Sequence, residues 1–198
     1  MKTNKTSLML AMLLVTLVVF PAAIEKVIAS ELDLNISSKA INVQFDTQAR
    51  ASTRNSAKFH VGAGYIYREG GTKIGNLDFH ALGQTAIQNL PTTVFIGARA
   101  IYFDEDAGDG AGLALGGGAQ INLPQVPGFS VKGTAHFAPQ ITSLDDLENL
   151  FRTDIRANYR IIQNADLYVG YRLIRAKIED RGSNSVDENV HLGFTFIF

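Results

Sequence analysis

The side chains with reactive potential in this sequence sit in an unusual pattern: they occupy alternate positions within runs of apolar residues. His60, His80, His136 and His191 do so, and so do Lys58, Asp78, Arg99, Lys132, Arg152, Asp154, Arg156, Arg160 and Arg172. Imidazoles and carboxylates gathered on one surface can hold a metal, relay protons or select ions in a channel. Against a metal site, no two histidines stand four residues apart, and their separations match no ligand motif. The alternative is that these groups line a narrow interior and neutralise one another, because an unpaired charge there would be costly. Both signs are present, so a mutually paired polar lining is expected, with no metal, no cofactor and no catalytic residue. Arg152, Arg156 and Arg160, with Asp154, share one face and form a positive stripe that would favour anions in an open interior.

Other candidate motifs carry less. The acidic, glycine-containing stretch from Asp104 to Gly110 lacks the twelve-residue spacing and terminal glutamate of a calcium loop and reads as a solvated loop. Gly112, Gly116, Gly117 and Gly118 precede no helix, so they do not form a phosphate cradle; small residues on a strand leave interior room or allow bending. There is no G-x-S-x-G, and the absence of cysteine removes thiol nucleophiles, disulfides and Cys-ligated metals.

The elements that must carry these residues are strands. Phe59, Val61, Ala63, Tyr65 and Tyr67 share one face, opposite Lys58, His60, Gly62 and Gly64. The same period of two recurs along the chain and predicts ten strands: 31–36, 40–46, 57–67, 74–85, 92–103, 111–123, 129–138, 150–161, 165–178 and 187–198. Eight full strands with a flanking hairpin are the alternative, because the first two segments are short. Most of the rest reach the roughly 9–11 residues that a tilted strand needs to cross a bilayer. Short connections (Asn89–Pro91, Pro124–Gly128, Gln163–Asn164) alternate with longer, mostly charged ones (Arg68–Lys73, Asp104–Ala111, Gln140–Asn149, Glu179–Asp187). Within the third of these, Ser143 and Asp146 resemble a helix-capping pair, so Ser143–Asn149 could form one or two helical turns, read as decoration of the loop. With the last strand running inward from the long-loop end, Tyr67, Tyr102, Phe137 and Phe151 fall near one end of the apolar faces, and Phe129 and Tyr159 near the other. These are the expected aromatic girdles. The fold class is therefore all-β: a transmembrane, antiparallel, up-and-down barrel.

Residues 1–29 read as a cleaved signal peptide, with Lys2 and Lys5 ahead of an apolar run from Leu8 to Phe20 and small residues at Val27 and Ala29; residues 30–198 form one barrel domain. The chain has 198 residues, 46% hydrophobic and 19% charged, with a formal charge of −1 that gives no reason to expect a nucleic-acid partner. Its end, His191-Leu192-Gly193-Phe194-Thr195-Phe196-Ile197-Phe198, resembles the signal by which the outer-membrane assembly machinery accepts barrels, carried by His191, Gly193, Phe196 and Phe198. The opening Glu31-Leu32-Asp33-Leu34-Asn35, the Leu123–Gly128 turn and the terminal H-L-G-F-x-F-x-F strand are similar to the YfaZ family. That resemblance implies a small exported barrel without an established enzymatic activity. The expected protein is a monomer of the Gram-negative outer membrane, structural or a narrow pore, with envelope lipids and the assembly machinery as partners. An outer-membrane enzyme acting on lipid or lipopolysaccharide, and a soluble lipocalin-like periplasmic carrier, are the competing readings.

Overall fold

The computed structural model describes residues 24–51, 58–105, 108–145, 147–178 and 182–198. Of the signal-peptide assignment over residues 1–29, residues 1–23 lie outside the described residues, and Ile24–Ala29 begin the first strand. Ten long strands run β1 (Ile24–Ser37), β2 (Ala40–Ala51), β3 (Lys58–Arg68), β4 (Lys73–Ile87), β5 (Leu90–Glu105), β6 (Gly108–Asn122), β7 (Phe129–Ala138), β9 (Leu147–Ile162), β10 (Ala165–Ile178) and β11 (Gly182–Ile197). A three-residue strand, β8 (Ser143–Asp145), pairs with β6 at Gly110–Gly112, beyond the end of β7. Every long strand pairs antiparallel with two neighbours, and β11 returns to β1, so the sheet closes. At the seam, Ser30 and Phe198 exchange both backbone hydrogen bonds, at 2.7 and 2.9 Å. Closure removes the free sheet edge over Ser30–Ser37 and His191–Phe198, where the two seam strands pair.

The second strand corrects the expectation of a short segment at 40–46, spanning 12 residues; the first spans 14, of which Ser30–Ser37 follow the expected cleavage site, and ten strands replace the eight-strand alternative. The β1–β2 register is irregular up to Val27/Ala29 and regular from Ala29 onward. Two connections are also tighter than the charged loops suggested. The acidic stretch continues the β5–β6 ladder through Asp104↔Asp109 and Glu105↔Gly108, and the expected helical turn at Ser143–Asn149 is instead a 3-10 turn at Gln140–Thr142 followed by β8. Ser143 starts no helix; it closes the 3-10 turn at its C-terminal end, its N–H donating to the Gln140 carbonyl and its hydroxyl to the Pro139 carbonyl. At the opposite end, Gln88 and Asn89 both adopt positive φ, 49° and 65°, the combination that a two-residue hairpin of type I′ requires.

Side-chain alternation sorts the wall. Ile96 and Ile155, mid-strand, are 73% and 58% exposed on the outside, whereas Arg172 is 1% exposed on the inside. A soluble fold hides its aliphatics and solvates its arginines; this barrel does the reverse. The pattern inverts along the strands. On β4, Asp78 points in and Phe79 out, but nearer the loop end Ile74 is buried and Lys73 exposed. On β10, buried Arg172 beside exposed Tyr171 gives way to buried Ile174 and Ala176 beside exposed Arg175 and Lys177. Ile66, Ile74, Ile101, Phe103, Leu150 and Val186 belong to an apolar cluster that fills the barrel at this end. Strands that stand in water on their outer face must bury an apolar inner face, so the inversion marks where the apolar belt stops.

Candidate functional site

The candidate site is the polar lumen between the apolar cap and the turn end. Its geometry follows from inter-strand rows in which glycines separate polar residues. Gly64 of β3 lies between Gln44 and Asn76, and a Cβ there would come within 1.9 Å of Gln44 Oε1. The missing side chain lets Asn76 Nδ2 donate to Gln44 Oε1 at 3.0 Å across the strand. Gly193 similarly faces Asn35 and Tyr168, with a would-be Cβ 2.4 Å from the Tyr168 ring. Another row runs His60, His80, Gly97, Gly116, His136, Arg152 over six strands. His80 and His136 lean over the two glycines and share a 2.8 Å Nε2–Nε2 hydrogen bond.

Acids and bases in this space are matched. Asp33 accepts four hydrogen bonds: from Tyr168 Oη (2.6 Å) and Asn35 Nδ2 (3.0 Å) on Oδ1, and from Arg156 Nη1 (2.7 Å) and Thr195 Oγ1 (2.9 Å) on Oδ2. Arg99 grips both oxygens of Asp78, which also accepts from Gln44 and Asn76 at 2.9 Å each. Arg172 Nε donates to Asp187 at 2.6 Å, with both residues at most 1% exposed. His191 approaches Asp154 at 3.5 Å and His60 approaches Asp46 at 3.6 Å. Lys132 stands 5.7 Å over the Phe95 ring. What remains is a cavity of about 60 Å³, room for a few water molecules.

Eleven of the thirteen sequence-assigned lining residues are drawn into or onto this interior. Two belong to the turn-end rim: Lys58, at the first position of β3, and Arg160, which is half-exposed and paired with Asp166 at 2.7 Å. The positive stripe is thereby broken up: Arg156 is matched by Asp33, Arg160 leaves the lumen, and Arg152 is left. Asp33, Asn35, Gln44, Asp46, Tyr168 and Asp187 were not singled out, although Leu32, Leu34 and Ile36 alternate with the first two of them and Val43 and Phe45 with the next two. In the terminal strand His191 and Gly193 face inward and Phe196 and Phe198 outward. Of the assigned girdle, Phe137 lies directly opposite Phe151 and Phe129 opposite Tyr159, all on the outer face. The pairs are separated by about 26 Å along the strand, or roughly 20 Å along the barrel axis at a tilt of about 40°. Tyr67 and Tyr102 face outward near the loop end.

A family model described as "YfaZ precursor" matches residues 7–198. The chain belongs to the YfaZ family. No curated protein matches it. Twelve chains of solved structures do, among them one from "De novo design of transmembrane beta-barrels" and one from "Unveiling the Mechanism Behind the in-meso Crystallization of Membrane Proteins". The first is 13% identical with a TM-score of 0.42, covering 88% of this chain and 99% of that one. The second is 12% identical with a TM-score of 0.49, covering 87% and 83%. The assignment of this YfaZ member as a small membrane β-barrel rests on its own closed sheet and apolar outer face.

Proposed function

We propose that this YfaZ member is a non-catalytic, non-conducting structural barrel of the Gram-negative outer membrane, exported by its signal peptide and present as a monomer. The observation that carries the reading is the inside-out wall combined with a filled interior: charge is buried and matched in the lumen, and the apolar cluster stops the loop end. A soluble lipid carrier needs the opposite arrangement, an apolar hollow and a polar exterior. Envelope lipids would contact the belt between the Phe137–Phe151 and Phe129–Tyr159 pairs, with Tyr67 and Tyr102 at the loop-side boundary. The outward phenyl rings of Phe196 and Phe198 on the closing strand support a role in strand addition to the assembly machinery. Gly193 has a second duty there, since its missing side chain admits Tyr168 in the finished barrel.

Membrane fractionation coupled to a heat-modifiability gel tests the location and the fold together. A band in the outer-membrane fraction whose mobility changes on boiling is expected; recovery in the soluble periplasm would overturn the reading. Mass spectrometry of envelope lipids with and without the protein tests the non-catalytic part: identical profiles are expected, and a modified acyl chain or headgroup would make the protein an enzyme.

A further inference from the structure

The geometry points to a binding site for one small monovalent anion, of halide size, held inside the lumen by Arg152 with Arg172 and His136. Arg152 differs from the other lumen arginines. Arg99, Arg156 and Arg172 each pair with a carboxylate, whereas none of the ion pairs among the described residues includes Arg152. Its polar contact is Nη1 to the Asn76 amide oxygen at 3.4 Å, and its Nε has no acceptor, although the side chain is only 6% exposed. Asp78 and Asp154 act on Arg152 only from beyond ion-pair distance, and a guanidinium removed from water without a carboxylate in contact is costly.

Two more unpartnered nitrogens adjoin it. His136 lies directly opposite Arg152 across β7 and β9, and Arg172 lies two register pairs from it on β10, opposite Asp154 and on the same face. Arg172 Nη2 and His136 Nδ1 have no hydrogen-bond partner, and both residues are 1% exposed. Because the His136 Nε2 is held by His80, a proton donated from His80 leaves His136 with its own proton on Nδ1, where it can donate. Arg152, Arg172 and His136 all border the same cavity of about 60 Å³. Water there would satisfy N–H groups but would bring no charge to Arg152.

The remaining surroundings restrict the ligand. Asp154 lines the same cavity, engaged by Arg156 Nε at 3.4 Å and by His191 at 3.5 Å, and its charge would repel a dianion such as sulfate. The volume also excludes bulky organic acids. The apolar cap closes the loop end, so the anion enters from the turn end or is captured on folding. Seated there, it accepts from the three unpartnered N–H groups and ties β7, β9 and β10 together.

Crystals of the detergent-folded protein, refolded and grown in sodium bromide, test this directly without any variant. A bromide anomalous peak at hydrogen-bonding distance from Arg152 Nε is expected. Water alone beside Arg152, or bromide only at exposed lysines, would overturn the site. Thermal unfolding at constant ionic strength is the second readout. Exchanging sulfate for bromide during refolding removes the general stabilisation that sulfate gives, so the Tm of the native protein should fall less than that of Arg152→Gln; an equal response in both would contradict the proposal.

Discussion

The two halves of the barrel interior are filled by opposite chemistries on the same ten strands. Toward the turns, the inner face consists of Asp33, Asp78, Arg99, Arg156 and their amide and hydroxyl partners, and lipid-facing aliphatics cover the outside. Toward the loops, Ile66, Ile74, Phe103, Leu150 and Ile174 fill the inside, and Lys39, Glu69, Lys73, Asp104 and Lys177 face out. The alternation of side chains never changes phase along β4 or β10; only the polarity assigned to each face does. Strand periodicity therefore states which residues share a face, and the surrounding solvent states whether that face is polar. In the lipid-facing half the interior is the more polar place, and in the projecting half it is the drier one.

Breaking the polar half should have the largest effect. Asp33→Ala strips four donors of their acceptor and leaves buried Arg156 with only its longer contact to Asp154, so a loss of about 3–5 kcal/mol is expected in urea unfolding followed by gel mobility or circular dichroism. The boundary between the halves offers a sharper comparison. Arg172→Met alone should cost about as much by stranding Asp187, and adding Asp187→Leu should recover most of that loss by extending the cap toward the turns. Equal instability of the single and double variants would mean that the lumen does not tolerate cap-like chemistry. Within the cap, Leu150→Ala removes packing but strands no charge, and about 2–4 kcal/mol of destabilisation is expected with insertion into vesicles retained. The rim pair should matter least: Arg160→Ala, half-exposed beside Asp166, should change stability by less than about 1 kcal/mol.

Much of this was legible in the residues. Alternation located eight of the ten strands closely, placed the lumen arginines and histidines on the inner face, and put Phe137 and Phe151 at one level and Phe129 and Tyr159 at another. The misses have physical causes. β1 reads as short because residues 24–29 read as the end of the signal peptide, and β2 because beyond Phe45 its sequence, Asp46-Thr47-Gln48-Ala49-Arg50, offers no large apolar residue. The cap was hidden because Ile66, Ile74 and Phe103 occupy the face that reads as polar lower down, and a face average erases a change of sign along the strand. The pairing of His80 with His136 depends on Gly97 and Gly116, which lie on strands between them. No spacing along the chain encodes a contact that depends on two intervening glycines and the curvature of a closed sheet.

The barrel wall encloses a filled interior, stopped at one end by apolar packing and occupied through the rest by polar side chains whose charges, Arg152 apart, are paired. Single-channel recording of the refolded native protein in a planar lipid bilayer tests it most directly. Insertion without discrete conductance steps is the predicted result, with the inserted protein recovered in its heat-modifiable form. Reproducible steps from that folded form would contradict the account.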